Sequence, residues 1–495
     1  MDNAAALFID RPVDEGHGDR PALVTPAGPI SYAALQRLTD RAAHGLRALG
    51  VEPEQRVAIR LPDGPAWAAT FFAALKLGAV AVPLNTRLAP AALAAVLADC
   101  RPKVLVTEAV DDGSGARAPG AAVRDFESLV ADRPTSPVAL EPVGPDAMAC
   151  WLYTSGTTGT PKAAVHCHRT LPACRHYGLD VLGVTSADRI FATSRLFFPY
   201  ALGNALLIPL FARAVAYLDP TWPDTTAVAR VMREFRPTLF FSVPTVYARL
   251  LRADLPAETF GSARACISAG ERLPAELYEA WRARFGVEIL DGMGATETIF
   301  MVLSNRPGQS RPGSSGVPVP GTEARVLDRE GRPVADGEEG VLWVRTPSQA
   351  MQYWKRLEQS RRTFVGEWFR TGDVYRREAD GAHVHCGRED DFFKVAGQWV
   401  IPADVESVLL RHPGVLESGV VGAAEPGGLI KTFAFVVARN PAAPPDALRA
   451  DLQRYLDGAL APHQRPREIR IVAELPRTDT GKLQRFRLRA LVDGH

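Results

Sequence analysis

Short apolar runs alternate with helical patterns through the first half of this 495-residue chain. The first block is predicted to contain a helix from Ser31, its N-cap, to about Leu49, strands near 57–61, 80–82 and 104–107, and helices near 66–77 and 91–98. A second block spans about 188–290 and includes buried strands at 239–243 and 265–268. Strands that alternate with helices in this way predict parallel sheets covered by helices.

The pattern changes from about residue 312 to 346. Short alternating runs are separated there by Asp-Arg-Glu-Gly-Arg-Pro and Ala-Asp-Gly-Glu-Glu-Gly, which are turn signals between antiparallel strands. Residues after 387–391 form a separate α+β pattern, with helices at 405–410 and 446–456 and strands at 418–421 and 432–437. The predicted fold is α/β: a large N-terminal domain of parallel α/β subdomains plus a small β-barrel-like subdomain, followed by a smaller α+β C-terminal domain.

Composition excludes several kinds of partner. A net charge of +1 provides no basic surface for nucleic acid or an acidic membrane. The longest apolar run, 200–218, contains Asn204, Pro209 and Arg213, which disfavours a membrane span. The six cysteines form no C-x-x-C pair and the N-terminus has no basic segment, so we expect reduced thiols and a cytoplasmic location.

Residues 153–162 read Tyr-Thr-Ser-Gly-Thr-Thr-Gly-Thr-Pro-Lys. This loop offers backbone N–H groups, hydroxyl donors and one cation to a polyphosphate. It is not a Walker A loop, because Pro161 stands at the second glycine and Ala163 at the magnesium-binding hydroxyl. The apolar residues on both sides, Trp151-Leu152 and Ala163-Ala164-Val165, disfavour the alternative of a flexible Ser/Thr/Gly linker.

Four further segments carry acidic, glycine or lysine residues typical of a binding site. They are Asp-Gly-Met-Gly-Ala-Thr-Glu at 291–297, Phe-Arg-Thr-Gly-Asp at 369–373, Gly-Arg-Glu-Asp-Asp at 387–391 followed by Lys394 and Gly397, and Thr-Asp-Thr-Gly-Lys at 478–482. Each alone is compatible with an ordinary turn or a solvated lysine. Lysine occurs seven times among 57 lysine and arginine residues, yet it is present in the 153–162 loop and in two of these four segments, which indicates that a compact ammonium is needed there.

With all five segments in this order, the chain resembles the adenylate-forming superfamily over nearly its whole length. That superfamily comprises acyl- and aryl-CoA synthetases, peptide-synthetase adenylation domains and luciferases. Three stretches are most similar to benzoate-CoA ligases: Leu-Phe-Phe-Pro-Tyr-Ala-Leu-Gly-Asn at 196–204, Phe-Phe-Ser-Val-Pro-Thr at 240–245 and Leu-Ser-Asn-Arg-Pro-Gly at 303–308.

The resemblance implies a two-step reaction. ATP first converts a carboxylate into an acyl-adenylate with loss of pyrophosphate, and coenzyme A then displaces AMP; Mg²⁺ is the implied metal. The implied nucleotide-binding residues are Thr154, Ser155, Gly156, Thr157, Thr158, Gly159 and Lys162 for the phosphates, Gly270, Glu271, Asp291, Gly292 and Met293 for adenine, and Asp373 and Arg388 for ribose. Met293 stands where many relatives place tyrosine.

The resemblance also assigns the catalytic residues. Lys482 would bridge the substrate carboxylate and the α-phosphate, Thr296 would contact the α-phosphate, and Glu297 would bind Mg²⁺. Lys394 would serve the thioester-forming step. Asp390 is the implied hinge, which divides the chain into an adenylation domain at 1–388, a hinge at 389–391 and a mobile C-terminal domain at 392–495.

An apolar pocket for the acid is implied by a further set of positions. These are Phe198, Pro199, Tyr200, Ser242, Val243, Ala269, Gly294, Phe300 and Met301. Phe300 and Phe198 stand where other aryl-CoA ligases often carry histidine, so the wall is aromatic, with the Tyr200 and Ser242 hydroxyls as its polar groups. Such a pocket suits a flat aromatic acid with one hydroxyl or amino substituent.

Two alternatives stay open at this point. The chain could load a carrier protein, or another nucleophile, instead of coenzyme A, because Ala396 and Trp399 add bulk beside the expected pantetheine tunnel. It could also bind nucleotide without catalysis, although Lys482 and Glu297 are both present. No nucleic-acid or membrane partner is expected, and a homodimer stays an open alternative.

Overall fold

The computed structural model describes residues 3–110, 120–155, 161–425, 428–442, 444–477 and 483–493. The chain forms two compact units. One comprises Met1–Ala324 with Val344–Arg370, and the other comprises Arg325–Trp343 with Thr371–His495. No described helix is both long and apolar enough to cross a bilayer.

Nine described strands of the first unit form one sheet. In spatial order they are Val317–Pro318, Met301–Ser304, Ile289–Gly294, Ala265–Ser268, Leu239–Ser242, Arg189–Ala192, Val215–Tyr217, Pro21–Thr25 and Gly28–Ser31. The strands from Ile289–Gly294 to Pro21–Thr25 pair in parallel, and the outer strands pair antiparallel. The carboxyl ends of the parallel strands therefore meet along one edge, where the segments that follow residues 242, 268 and 291 lie.

A second sheet of the same unit contains seven described strands. Their order is Gln352–Tyr353, Pro161–Cys167, Met148–Ser155, Val80–Pro83, Arg56–Arg60, Val104–Thr107 and Ala122–Asp125. The last five pair in parallel, whereas Met148–Ser155 and Pro161–Cys167 form an antiparallel pair. The two blocks of alternating pattern thus become two mainly parallel sheets, which confirms the predicted α/β class.

Helices cover these sheets. The α-helices of the first unit are Tyr32–Ala48, Pro65–Lys76, Pro90–Cys100, Phe126–Val130, Cys174–Gly178, Pro199–Ala201, Ile208–Ala212, Thr225–Glu234, Pro244–Arg252, Ala275–Phe285 and Leu357–Thr363. Ala6–Asp10, Val13–His17 and Leu202–Leu207 are π-helical, and His168–Ala173 and Ala257–Phe260 are 3₁₀-helical. Ser31 caps Tyr32–Ala48 as predicted, because its side-chain oxygen accepts a hydrogen bond from Ala34 N at 3.2 Å.

A buried ion-pair network ties the first helices together. Lys76 Nζ donates to Oδ1 of Asp10 and to Oδ1 of Asp40, both at 2.7 Å. The Lys76 and Asp40 side chains are each only 1% exposed. Because Asp40 also accepts from Val138 N at 3.1 Å, this charge is hydrogen-bonded on more than one side, as a buried ion needs.

An antiparallel sheet occupies the chain from 323 to 388. Its strands are Glu323–Leu327, Glu339–Arg345, Phe364–Val365, Trp368–Arg377 and His383–Arg388. The sequence predicts strands only up to 346, but the sheet also takes in later segments. Asp373, which lies beyond the strands predicted up to 346, is therefore inside a strand of this sheet.

The part of the second unit that follows residue 388 is α+β. A hairpin pairs Phe393–Val395 with Gln398–Val400, and a three-stranded sheet contains Val415–Ala424, Ile430–Ala438 and Glu468–Val472. Its helices are the 3₁₀ turn Glu389–Asp391 and the α-helices Pro402–Leu410, Pro445–Ala459 and Arg485–Asp493. Every strand and helix predicted after residue 391 is present within these bounds.

Candidate functional site

The predicted phosphate loop lies between two paired strands. Met148–Ser155 and Pro161–Cys167 run antiparallel, and Thr154 is directly opposite Lys162. Trp151, Ala163 and Val165 are fully buried, which explains why the apolar flanks form strands. Of the predicted phosphate-binding residues, Gly156, Thr157, Thr158 and Gly159 lie outside the described residues, as does Lys482.

Lys162, Tyr353 and Glu297 form a continuous set of contacts. The Lys162 ammonium lies 3.8 Å from the centre of the Tyr353 ring. The Tyr353 hydroxyl donates to Oε1 of Glu297 at 2.5 Å. The structure thus brings together the lysine and the acid that the sequence placed in two separate motifs, through a tyrosine that the motifs do not contain.

Backbone contacts hold the Thr296–Glu297 segment from two sides. His166 Nε2 donates to the Thr296 carbonyl at 2.8 Å, and Ala350 N donates to the Glu297 carbonyl at 2.7 Å. Burial lowers the pKa of His166 to about 4, so the ring is neutral at pH 7 and carries its proton on Nε2. The Glu297 side chain is thereby fixed at a mostly buried position, with 8% exposed.

Asp291 is a buried acid in the strand Ile289–Gly294. Burial raises its pKa to about 8. Its Oδ1 has no hydrogen-bond partner among the described residues. Since buried polar atoms almost always form hydrogen bonds, this oxygen is well suited to accept a hydrogen bond from an N–H group of a ligand.

Two glycines of the predicted adenine segment are required by close packing. A Cβ at Gly292 would lie 2.8 Å from the Leu303 carbonyl oxygen, and one at Gly294 would lie 2.9 Å from that of Phe300. Strand Met301–Ser304 pairs with this segment, which brings Met301 to Gly294. Met293 is buried, and Gly270 precedes Glu271, whose carboxylate accepts from Thr245 Oγ1 at 3.1 Å.

The two predicted polar groups of the acid pocket already have protein partners. Ser242 Oγ lies 2.7 Å from Thr193 Oγ1, and the Tyr200 hydroxyl lies 3.1 Å from the Ser242 carbonyl and 3.0 Å from that of Ile267. Asn204 donates to the Tyr200 carbonyl at 2.8 Å. The Tyr200 proton is therefore directed to the backbone, and its oxygen can only accept from a substrate.

Aromatic and small residues make up the remaining pocket positions. Phe300 is 3% exposed, and a Cβ at Gly203 would lie 3.0 Å from its ring. Phe198 packs against Phe197, with 4.5 Å between ring centres, immediately before the short helix that begins at Pro199. Val243 and Ala269 directly follow neighbouring parallel strands.

The second unit carries the predicted ribose-binding pair. Asp373 and Arg388 are directly opposite in adjacent strands, and Arg388 Nη1 donates to Asp373 Oδ2 at 3.0 Å. His385 Nε2 lies 3.3 Å from the other carboxylate oxygen. Thr371 Oγ1 accepts from the backbone N of Asp373 at 3.0 Å, which fixes the residue in the strand.

Lys394 lies in the hairpin that follows the predicted hinge. It is directly opposite Trp399, and its Nζ lies 4.8 Å from the indole centre. Arg329 Cζ lies 4.3 Å from the same ring. Asp390 is the middle residue of the 3₁₀ turn Glu389–Asp391.

Two of the arginines after Lys482 are engaged within the second unit. Arg485 donates to both oxygens of Glu406 at 2.6 and 2.7 Å, and Arg489 donates to Asp391 at 3.1 Å. These contacts reduce the positive charge that they would present to a phosphate group or a carrier protein.

Sequence motifs missed four residues of this arrangement: Tyr353, His166, Thr193 and His385. Each acts through a partner distant in sequence; the Tyr353–Glu297 bond, for example, joins residues 56 positions apart. His166 and His385 each stand in a His-x-His pair, at 166–168 and 383–385, a pattern that by itself does not indicate these contacts. No group of three or more His, Cys, Asp or Glu residues in the described part of the chain could hold a metal ion.

Comparison with known proteins identifies two matching family descriptions. Residues 11–354 match "AMP-binding enzyme", and residues 404–482 match "AMP-binding enzyme C-terminal domain". These two matches cover three of the five motif segments, and the other two, at 369–373 and 387–397, lie between the matches.

Similar proteins extend over the whole chain. A 3-hydroxybenzoate–CoA ligase of Aromatoleum sp. strain CIB is 38% identical, covering 99% of this chain and 97% of the relative. A benzoate–CoA ligase of Thauera aromatica is 38% identical, covering 99% and 96%. The crystal structure of a benzoate CoA ligase from Burkholderia xenovorans LB400 has a TM-score of 0.91 and 39% identity, covering 99% of this chain and 100% of that one. The chain therefore belongs to the AMP-binding enzyme family, the adenylate-forming superfamily that its motifs resemble.

Proposed function

We propose that this protein is an aryl-CoA synthetase: it activates an aromatic carboxylic acid with ATP and transfers the aryl group to coenzyme A. The observation that carries the proposal is the contact of Glu297 with Tyr353 and of Tyr353 with Lys162, together with the buried Asp291 in the strand that precedes Glu297. Within the first unit, Glu297 supplies a hard oxygen ligand for a metal ion and Lys162 supplies an ammonium group. Asp291 supplies a hydrogen-bond acceptor for a nucleotide base. This arrangement is found in a chain similar along its length to benzoate–CoA and 3-hydroxybenzoate–CoA ligases.

The described residues fit a magnesium nucleotide. Glu297 offers a carboxylate, the donor type that Mg²⁺ prefers, and one carboxylate is enough when phosphate oxygens and water complete the shell. Asp291 Oδ1 lacks a hydrogen-bond donor among the described residues, and the adenine amino group would supply one. Mg²⁺ bound at Glu297 would supply charge neutralisation on the phosphates.

In the first half-reaction a carboxylate oxygen attacks the α-phosphorus of ATP, and pyrophosphate leaves. Two anions meet in this step, so positive charge must be in place beforehand. Lys162 and the loop at 154–159 hold the β- and γ-phosphates, and Thr296 contacts the α-phosphate. Lys482 bridges the carboxylate and the α-phosphate, and Asp373 with Arg388 holds the ribose hydroxyls.

In the second half-reaction the thiol of coenzyme A attacks the acyl carbonyl carbon, and AMP leaves. Lys394 serves this step after the domain beyond Asp390 rotates, which makes residues 389–391 the hinge between a domain at 1–388 and one at 392–495. The rotation removes Lys482 from the reacting carboxyl carbon and brings the 394–397 segment to it.

The acid pocket favours a flat aromatic ring. Phe198 and Phe300 supply apolar walls, and the pocket continues over Pro199, Val243, Ala269 and Met301. Because the Tyr200 proton is directed to the backbone, its oxygen accepts from a ring hydroxyl or amino substituent. A carrier protein as acceptor, a homodimer and a cytoplasmic location stay predictions.

Pyrophosphate release over a panel of benzoates, hydroxybenzoates, aminobenzoates and cinnamates tests the proposal, with and without coenzyme A. We expect one aromatic acid to be preferred and its turnover to rise sharply with coenzyme A, with the thioester as product. Lys482→Ala is the inactive control. A bound adenylate that coenzyme A does not discharge would indicate a carrier protein or another acceptor, and no release with any acid would contradict the proposed function.

A further inference from the structure

We propose that Tyr353 is a positioning residue that couples the metal-binding carboxylate of Glu297 to the phosphate-binding ammonium of Lys162. The proposal rests on the proposed function, because that function makes Glu297 the ligand of Mg²⁺. It adds a residue outside the five motifs, together with a specific role for each part of its side chain.

The two parts of the tyrosine contact different partners. The hydroxyl donates to Oε1 of Glu297 at 2.5 Å, and the ring face lies 3.8 Å from the Lys162 ammonium. Tyr353 is 2% exposed and Glu297 8% exposed, so little water competes with either contact. A cation against a ring face is attracted by the ring's quadrupole, most strongly where water is excluded.

The backbone around Tyr353 gives it a defined position. The strand Gln352–Tyr353 pairs antiparallel with Pro161–Cys167, with Tyr353 opposite Ala164. The flanking amides of Met351 and Trp354 donate to the carbonyls of Val165 and Ala163 at 2.8 and 2.9 Å.

Side-chain packing adds to this backbone pairing. The Trp354 ring also packs on Trp151, with 4.3 Å between centres. The tyrosine is therefore anchored to the strand that carries Lys162 by backbone pairing, and through Trp354 to the neighbouring strand Met148–Ser155.

This geometry has a chemical consequence for the carboxylate. The hydroxyl takes Oε1, so Glu297 presents Oε2 to a cation in one fixed orientation. Residues that orient a metal ligand in this way commonly change metal affinity by ~10–100-fold when they are replaced. The ring separately holds the Lys162 ammonium against its face, so one side chain contacts both groups that the proposed function assigns to the magnesium nucleotide.

Equilibrium binding of α,β-methylene-ATP, measured by titration calorimetry with and without Mg²⁺, separates the two contacts. Tyr353→Phe keeps the ring and should weaken binding ~10-fold in Mg²⁺ while leaving metal-free binding unchanged. Tyr353→Leu removes the ring as well and should weaken binding under both conditions. Tyr32→Phe is the matched control, because it also removes a buried hydroxyl bond, 2.8 Å to the Ala214 carbonyl.

Two results would overturn the proposal: Tyr353→Phe binding the magnesium nucleotide as tightly as wild type, or weakening binding equally with and without the metal. A Glu297→Gln background should abolish the effect of Tyr353→Phe. If Tyr353→Phe does not fold, a crystal structure of the wild type with Mg²⁺ and the analogue decides, since a Glu297 turned away from Tyr353 contradicts the coupling. These binding measurements contain no aromatic acid. A failure of the Tyr353 proposal is therefore distinguishable from a failure of the proposed function, which the pyrophosphate assay tests separately.

Discussion

Arg388 donates a hydrogen bond to Asp373 at 3.0 Å, directly across two antiparallel strands of the second unit. A carboxylate held in this way can accept from both hydroxyls of a ribose. Asp373→Asn should raise the KM for ATP ~10-fold or more, the value of a hydrogen bond to a charged group. It should also reduce the preference for ATP over 2′-deoxyATP, as steady-state kinetics will measure. Asp380→Asn, at an exposed turn, is the control; an unchanged preference in Asp373→Asn would contradict the ribose role.

The buried carboxyl group of Asp291 predicts a pH dependence of stability. Its pKa is about 8 in the folded protein and ~3.9 unfolded, so the stability linked to its protonated form is fully present below pH ~4 and is lost as pH rises through 8. Asp291→Asn lacks this titration. The unfolding free energy of Asp291→Asn minus that of ligand-free wild type should therefore increase with pH in this window, by up to ~1.4 kcal/mol per pH unit. Denaturant titrations across the range measure it, and parallel pH profiles would contradict it.

The thioester-forming role proposed for Lys394 predicts a separation of the two half-reactions. Lys394→Ala should retain acid-dependent pyrophosphate release but slow thioester formation ~100-fold or more, the scale of one lost electrostatic contact at a reacting centre. Lys431→Ala, in the same unit, is the control. Equal loss of both half-reactions would reject this role.

The packing of Phe300 against Gly203 predicts a change in acid recognition. In Gly203→Ala the new Cβ would lie 3.0 Å from the Phe300 ring, so the ring must shift within the pocket. We expect kcat/KM for the preferred aromatic acid to fall ~10-fold or more, the effect of one methylene group in an apolar site, with an unchanged KM for ATP. The double variant that combines Gly203→Ala with Phe300→Leu should recover part of the lost kcat/KM. Gly144→Ala, which has open space around it, is the control, and no rescue by Phe300→Leu would contradict the packing argument.

The ion pairs of Lys76 predict a large effect on stability. Lys76→Met keeps a long, unbranched side chain but leaves the Asp40 carboxylate buried without its cation. Breaking a buried ion pair in this way costs ~3–5 kcal/mol. Thermal and denaturant unfolding should show this loss. The exposed Lys103→Met should change stability by less than ~0.5 kcal/mol. A similar small change in Lys76→Met would show that the network adds little.

Much of the fold could be predicted because its signals are local. Ser31 caps the helix that begins at Tyr32, and the strands at 239–242 and 265–268 each consist of three apolar residues and a serine, all buried. The position of Asp373 within a strand was missed because glycine and threonine beside it read as a turn, whereas pairing with His383–Arg388 overrides that preference.

The candidate site was predictable to the extent that its chemistry lies in short motifs. Lys162, Glu297 and Asp291 were all named from the sequence. The hydrogen-bond partners of the pocket hydroxyls could not be predicted in this way, because Ser242 pairs with Thr193, which lies 49 residues earlier in the chain. Predicted residues 156–159 and Lys482 lie outside the described residues, so their roles rest on the motifs.

The sequence by itself determined the α/β class, the order of the motifs and the family, since strand and helix periods, turn residues and loop chemistry are all encoded within a few neighbouring positions. Only the tertiary structure decided which groups act together. Tyr353 reaches Glu297 across 56 residues, and His166 reaches Thr296 across 130. Such contacts depend on strand order and register, and these are set by how the whole core packs and not by any local pattern.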